Sequence, residues 1–262
     1  MNTEFKLTDE QKYIFDLRGW LAIPAVLDDG QIEEMRDFCY RLKDDRDSLP
    51  EEDRSSVGGP LRELTDHPIV VDFMDEFVSC PGYANEYCYG FRVDGSFFTI
   101  RSKGHNNFSP HGGGGMLNMP GNHHIYRLYP GKVNCGLTRV VWELNPVEKQ
   151  TGGTLFISGS HKTAFKSPPC LQDPECELWD TYECPAGSVL FFSEAVTHTG
   201  ALWTNEEWDR VAVFNSYNTL GSKWHKWQPP KGYVESLPPK RQTLFRDVHC
   251  QDNVVEAPGA SE

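Results

Sequence analysis

His198 and Arg210 stand twelve residues apart within Gly187–Tyr217, GSVLFFSEAVTHTGALWTNEEWDRVAVFNSY. A neutral imidazole is a good ligand for Fe, Zn, Cu or Ni. A guanidinium fork binds a carboxylate through two parallel hydrogen bonds. A metal ligand and a carboxylate clamp this close in sequence point to a metal site that also holds an organic acid; the bland alternative is a surface histidine and a structural ion pair. Val189–Phe192 and Val211–Phe214 are short, apolar, β-favouring runs. The stretch therefore reads as two strands around a turn, with His198 and Arg210 on one ribbon and Trp203 and Trp208 in the turn.

Six of the nine histidines (His105, His111, His123, His124, His161 and His198) fall between residues 105 and 198, interleaved with candidate strands. Other chemistries are excluded by what the chain lacks. The run His111–Gly115, HGGGG, has the look of an esterase oxyanion loop, but no GxSxG nucleophile elbow accompanies it. GxGxxG, GxxxxGK[ST] and HExxH are absent as well, which removes the phosphate cradles and the zincin proteases.

The elements that must position these residues follow from pattern. Thr8–Gln11 has the form of a capping box and opens a helix that Gly19 ends. Trp20–Val26 is a short apolar strand. Asp28-Asp29-Gly30 starts a second helix whose Ile32, Met35, Cys39 and Leu42 repeat at helical spacing. Lys43–Arg62 is a charged surface loop, and Ile69–Phe77 a short helix. Strands are then predicted at Tyr89–Val93, Phe97–Arg101, Leu137–Leu144, Thr154–Ile157, Val189–Phe192 and Val211–Tyr217, separated by Gly, Pro and Asn, so the class is mostly β with flanking helices. The segment after Gly221 is expected to cover one sheet edge.

At 262 residues, with 38% hydrophobic content, the chain is read as a single domain over 1–262: N-terminal helices 7–80, a β-core 87–220 and a C-terminal tail 221–262. The net charge of −13 disfavours nucleic acid and anionic membranes as partners. No apolar run reaches membrane-spanning length, no signal peptide is legible, and the eight cysteines include no CxxC pair. A cytoplasmic protein with reduced thiols and a small-molecule substrate is expected; these features say nothing of oligomeric state.

Two segments carry a resemblance. The opening LTDEQKYIFDLRGWLAIPAVLDDGQIEEMRDFCYRL and the segment Gly152–Lys162, GGTLFISGSHK, resemble those of the phytanoyl-CoA dioxygenase family, with Ser158 where the family carries proline. The family is a branch of the Fe(II)/2-oxoglutarate oxygenases, and the resemblance covers Leu7–Tyr217. It implies a double-stranded β-helix (a cupin-like jelly roll), Fe(II), 2-oxoglutarate and O₂ as co-substrate, and hydroxylation of an unactivated C–H bond. It places the distal metal histidine on His198, the 2-oxoglutarate arginine on Arg210 and a cofactor-lining tryptophan on Trp142. His161 is either a cofactor-site residue or one that closes a turn by hydrogen bonding, and Thr199 or Ser216 would add hydrogen bonds to the bound oxo acid.

The chain departs from the family at the first metal motif, because no His-x-Asp or His-x-Glu occurs in it. His111, before the glycine run, and His124, in NHHIYR, are both candidates for the first histidine, with His111 preferred. The missing carboxylate has three explanations. Glu194 supplies it, provided that SEAVTH turns; on a continuous strand positions 194 and 198 would lie about 13 Å apart. Alternatively, Gly113 leaves the position vacant, as in the His-x-Gly oxidative halogenases. Or the chain is a cupin-like binding or regulatory protein without turnover. An isomerase or lyase with a non-redox metal is a further option.

Overall fold

The structure, a computed structural model, describes residues 5–113 and 125–248. Thr8 and Asp28 start the first two helices in the same way. Each side chain accepts from the backbone N–H of a glutamine three residues on, and that glutamine's side chain accepts from the cap's own N–H. Helix α1 (Asp9–Arg18) ends at Gly19, in the left-handed region at φ +79°. Helix α2 (Asp29–Asp44) buries Ile32, Met35, Phe38, Cys39 and Leu42 along one face. Helix α3 (Pro68–Phe77) begins with proline at its first turn, one residue earlier than predicted.

Nine strands follow the order β1 (Trp20–Ile23), β2 (Phe91–Arg101), β3 (Tyr126–Tyr129), β4 (Lys132–Cys135), β5 (Thr138–Glu143), β6 (Thr154–Phe156), β7 (Ser188–Ser193), β8 (His198–Gly200) and β9 (Arg210–Thr219) among the described residues. Five form an antiparallel sheet in the order β1-β7-β5-β9-β2. β6 and β8 pair separately, and single bridges extend them, His111 to His198 on one side and Asp180 to Phe156 on the other.

The predicted strand pair within 187–217 is corrected here. β7 and β9 both exist, but β5 lies between them and bonds to each, while the His198 segment leaves for the smaller sheet. His198 and Arg210 therefore do not share a ribbon. Tyr89–Val93 and Phe97–Arg101 are one strand, β2, with a bulge between Val93 and Gly95. The β3–β4 hairpin was not predicted; three of the four β3 residues are exposed, so no alternation marks it.

The large sheet is buried on both faces, with a two-residue period deciding which side chain goes where. Val140, Trp142, Phe191, Val211 and Val213 pack against Phe15, Phe73 and the other helix residues. Val141, Leu190, Phe192, Ala212 and Phe214 face the smaller sheet and meet Phe156, Tyr182, Val196 and Trp203. Residues 221–248 run along the edge strand β2, as expected of the tail. The backbone N–H groups of Trp224 and His225 donate to Asp94, and Tyr89 N–H donates to Thr243. No helix among the described residues is long and apolar enough to cross a membrane.

Candidate metal centre

Glu194 follows β7 in a turn, not a strand: its N–H donates to Leu137 O, and Val196 N–H donates back to Ser193 O. That turn is what allows residues four apart to converge, with His198 Nε2 lying 3.6 Å from Glu194 Oε2. His111 arrives from the β2 side of the chain and is held by a reciprocal backbone pair. Its N–H donates to His198 O and His198 N–H donates to its carbonyl, at 3.1 and 2.8 Å. The two imidazole centroids are 4.2 Å apart. Ligand atoms of His111, Glu194 and His198 all fall within 4.8 Å of one another.

Both rings are fixed in the same sense. His111 Nδ1 sits 2.7 Å from Ser109 O and His198 Nδ1 2.8 Å from Val196 O, so in the neutral rings Nδ1–H donates and Nε2 keeps its lone pair. Burial pushes the His198 imidazole down to about 4 against the opposing pull of Glu194, so it is neutral at pH 7. Burial pushes the Glu194 carboxyl up, but the charge of Arg139, a charged His198 and the Arg139 hydrogen bond outweigh it and hold the group at about 2. Two imidazoles and one carboxylate are the donor set of a non-haem Fe(II) oxygenase site with open positions. The residues present fit such an ion.

The chain reaches this geometry through glycine. Gly112 and Gly113 have φ of +78° and +81°, where other residues are strained. A Cβ on Gly112 would lie 2.3 Å from Val196 O, and one on Gly113 2.0 Å from Thr197 Oγ1. Writing the family's acid back in at that position therefore fails: Gly113→Asp should lower unfolding free energy by about 1–3 kcal/mol and weaken metal binding by displacing His111. Thermal unfolding with and without Co(II) checks both.

Arg210 is 1% exposed and already engaged. Its Nε and Nη2 donate to the two oxygens of Glu143, which is fully buried, and Nη2 also donates to Tyr182 Oη and Thr154 Oγ1. Among the described residues its Nη1 has no hydrogen-bond partner, and neither has Nη1 of Arg101, its cross-strand neighbour on β2. Burial and the charge of Arg210 push the Arg101 guanidinium down to about 10. Two buried guanidiniums with one carboxylate between them leave a net positive charge on the inner face of the sheet. Along β6–β8 this pair touches the Thr154–Gly200 rung, by the Arg210–Thr154 bond and by an Arg101 Nη1 that a Cβ on Gly200 would meet at 2.7 Å. His198 occupies the rung two residues on, about 7 Å away by strand rise.

The structure does not bring the other sequence candidates to this cluster. Trp142 points to the helix side of the sheet, with its ring 5.2 Å from that of His67; its neighbours Val141 and Glu143 are the ones that face inward. His161 is packed under α1, with Nε2 3.0 Å from Asp16 O and its ring against Tyr126, so the turn-closing alternative describes it. Thr199 is buried and accepts from Ser109 N–H, which fastens the segment leading to His111. His123 and His124 lie outside the described residues. Three participants were missed: Glu143, Tyr182 and the role of Arg139, whose Nε donates to Glu194 Oε1 at 2.5 Å.

The phytanoyl-CoA dioxygenase (PhyH) family model matches residues 15–210. The chain belongs to the phytanoyl-CoA dioxygenase family. Within the curated proteins, dioxygenase af480 of Aspergillus fumigatus is 29% identical over 114 residues, 42% of this chain and 36% of that protein, so the match spans about a third of the relative. Among solved structures the fold is similar to that of apo HygX from Streptomyces hygroscopicus, with TM-score 0.67, 21% identity and coverage of 84% and 90% of the two chains. HygX with nickel, 2-oxoglutarate and hygromycin B bound gives 0.66, 21%, 85% and 90%. The carbocyclase SnoK from nogalamycin biosynthesis gives 0.60, 15%, 94% and 95%.

Proposed function

We propose that the protein is an Fe(II)/2-oxoglutarate-dependent oxygenase that hydroxylates an unactivated C–H bond of a small molecule, on a jelly-roll core that folds as one domain. The observation that carries this reading is the convergence of His111 Nε2, His198 Nε2 and the Glu194 carboxylate. These three would hold the metal, leaving positions open for an oxo acid. Iron with 2-oxoglutarate and O₂ would supply the oxidising equivalent there, at the expense of the oxo acid, which would leave as succinate and CO₂. Arg210 and Arg101, whose Nη1 atoms have no partner among the described residues, would take the far carboxylate about 7 Å from the His198 rung. Phe156 and Phe192 lie beside the His198 ring and Phe214 under the Arg210 guanidinium, an apolar lining that would exclude water.

The substrate side is assigned to the opposite flank of Glu194. There Phe97 stacks on Phe214 at 4.6 Å and lies beneath the Arg139 guanidinium. Phe97 also borders a cleft of about 700 Å³ with Arg46, Arg54, Ser56, Phe98 and Trp227 on its walls. Such a mixture of aromatic and charged walls suits a polar small molecule, and HygX with hygromycin B bound supports that class. Against the halogenase reading stands Glu194, whose carboxylate lies within reach of both histidines although Gly113 carries none.

An anaerobic Fe(II) titration followed by visible absorption tests the proposal. A weak charge-transfer band is expected that needs both Fe(II) and 2-oxoglutarate and disappears in His198→Ala. A wild-type protein without the band would overturn the reading in favour of a binding protein on the same fold.

A further inference from the structure

Edge strand β2 carries three consecutive peculiarities that the metal site alone does not require. The register of β2 on β9 skips Asp94, so the bulge turns this residue out of the ladder. Asp94 is fully buried and collects the C-terminal segment: Trp224 N–H donates to Oδ2 and His225 N–H to Oδ1, and His225 Nδ1 lies 2.5 Å from Oδ1. Gly95, next in the strand, leaves room for the imidazole, since a Cβ there would meet the His225 ring at 3.1 Å. Bulge, acid and missing side chain together form a seat for one histidine 130 residues away.

What that histidine faces is Arg139, whose Nη2 lies 3.3 Å from His225 Nε2. A guanidinium has donors only, so Nε2 must accept and the ring proton sits on Nδ1, toward Asp94. Arg139 is thereby held at three points, by Glu194 through Nε, by Ser216 through Nη1 and by His225 through Nη2, with its plane above the Phe97 ring. The Glu194 oxygen that Arg139 grips is Oε1; Oε2 is the one turned to His198. A carboxylate free at both oxygens can swing or chelate a metal with both, whereas one with Oε1 committed offers a single oxygen.

We propose that His225, delivered by the C-terminal segment and locked by Asp94, is a positioning residue for the metal centre: through Arg139 it fixes Glu194 so that one carboxylate oxygen faces the ion. The proposal rests on the metal-binding reading above. Outer partners of metal ligands change affinity by about 10–100-fold when removed, and that is the size of effect expected.

Co(II) is the probe, because its visible d–d bands report coordination number and its titration gives an affinity without turnover. His225→Leu should weaken Co(II) binding about 10-fold or more and alter the d–d spectrum. His225→Gln, which keeps an acceptor for Arg139 and a donor for Asp94, should stay close to wild type. In an Arg139→Gln background His225→Leu should add little, because the two act in series. If the leucine protein does not fold, His225→Asn, too short to reach Arg139, carries the same expectation. Unchanged Co(II) affinity and spectrum in a folded leucine or asparagine variant overturns the proposal. Equal losses in the leucine and glutamine variants overturn it too, since packing alone would then explain them. A different result separates the parent reading: wild-type Co(II) binding that is indifferent to His198→Ala would remove the metal site, and this relay with it.

Discussion

Arg210→Met should destabilise the protein by about 3–5 kcal/mol and abolish 2-oxoglutarate binding, and the two losses can be separated. Glu143 is fully buried and both its oxygens take hydrogen bonds from Arg210, so removing the guanidinium strands a charge that keeps, among the described residues, the Tyr182 hydroxyl as its side-chain partner. Breaking a buried pair from one side is costly for that reason, while replacing both members by apolar residues is often neutral. The double variant Arg210→Met/Glu143→Leu should therefore recover most of the stability in urea unfolding. It should not recover the oxo acid, because the arginine cluster that would face the far carboxylate has then lost its second cation. Arg210→Lys should fall between, keeping charge but losing the two-point geometry. Recovery of 2-oxoglutarate binding in the double variant, measured by calorimetry, would show that Arg210 is a structural ion pair and no more.

That Glu143 is the partner of Arg210 could not be read from the sequence. The helix starts were legible because a capping box is local: Thr8 with Gln11 and Asp28 with Gln31 declare themselves within four residues. His111, Glu194 and His198 were legible as residue types, and the condition on Glu194, that its segment turn, was a local question that the turn after β7 answers. Trp142 is a core residue on the helix side of the sheet and does not line the cluster. On a strand buried at both faces, apolarity does not mark which face is which, and a slip of one residue exchanges Trp142 for Glu143. Arg139 and Glu194 are 55 residues apart, and His225 is 86 beyond Arg139, with no spacing rule to connect them. The fold joins these residues by strand order, β7-β5-β9-β2, which the propensities of single strands do not specify.

Glu194→Gln should lower Co(II) and Fe(II) affinity by about 100-fold or more, the upper end of what outer partners alone cause, while leaving the fold in place. Glutamine is the sharper replacement than alanine. Its amide oxygen can still accept from Arg139 Nε, so the grip on the side chain survives; the NH₂ group then takes the Oε2 position facing His198 and cannot bind a cation. The loss would thus report ligand chemistry and not a collapsed pocket. Adding Gly113→Asp to this variant should not restore binding, because the backbone at φ +81° and the Thr197 hydroxyl leave that side chain no relaxed place at the site. The outcome bears on reaction class as well as on ligation. A centre that works with its carboxylate position vacant would be indifferent to Glu194, and an unchanged metal titration in Glu194→Gln would return the halogenating alternative to consideration. A lost titration that Gly113→Asp fails to rescue would mean that this chain has moved its carboxylate from the position two residues after His111 to the turn before His198, keeping two histidines and one acid by a different route through the same fold.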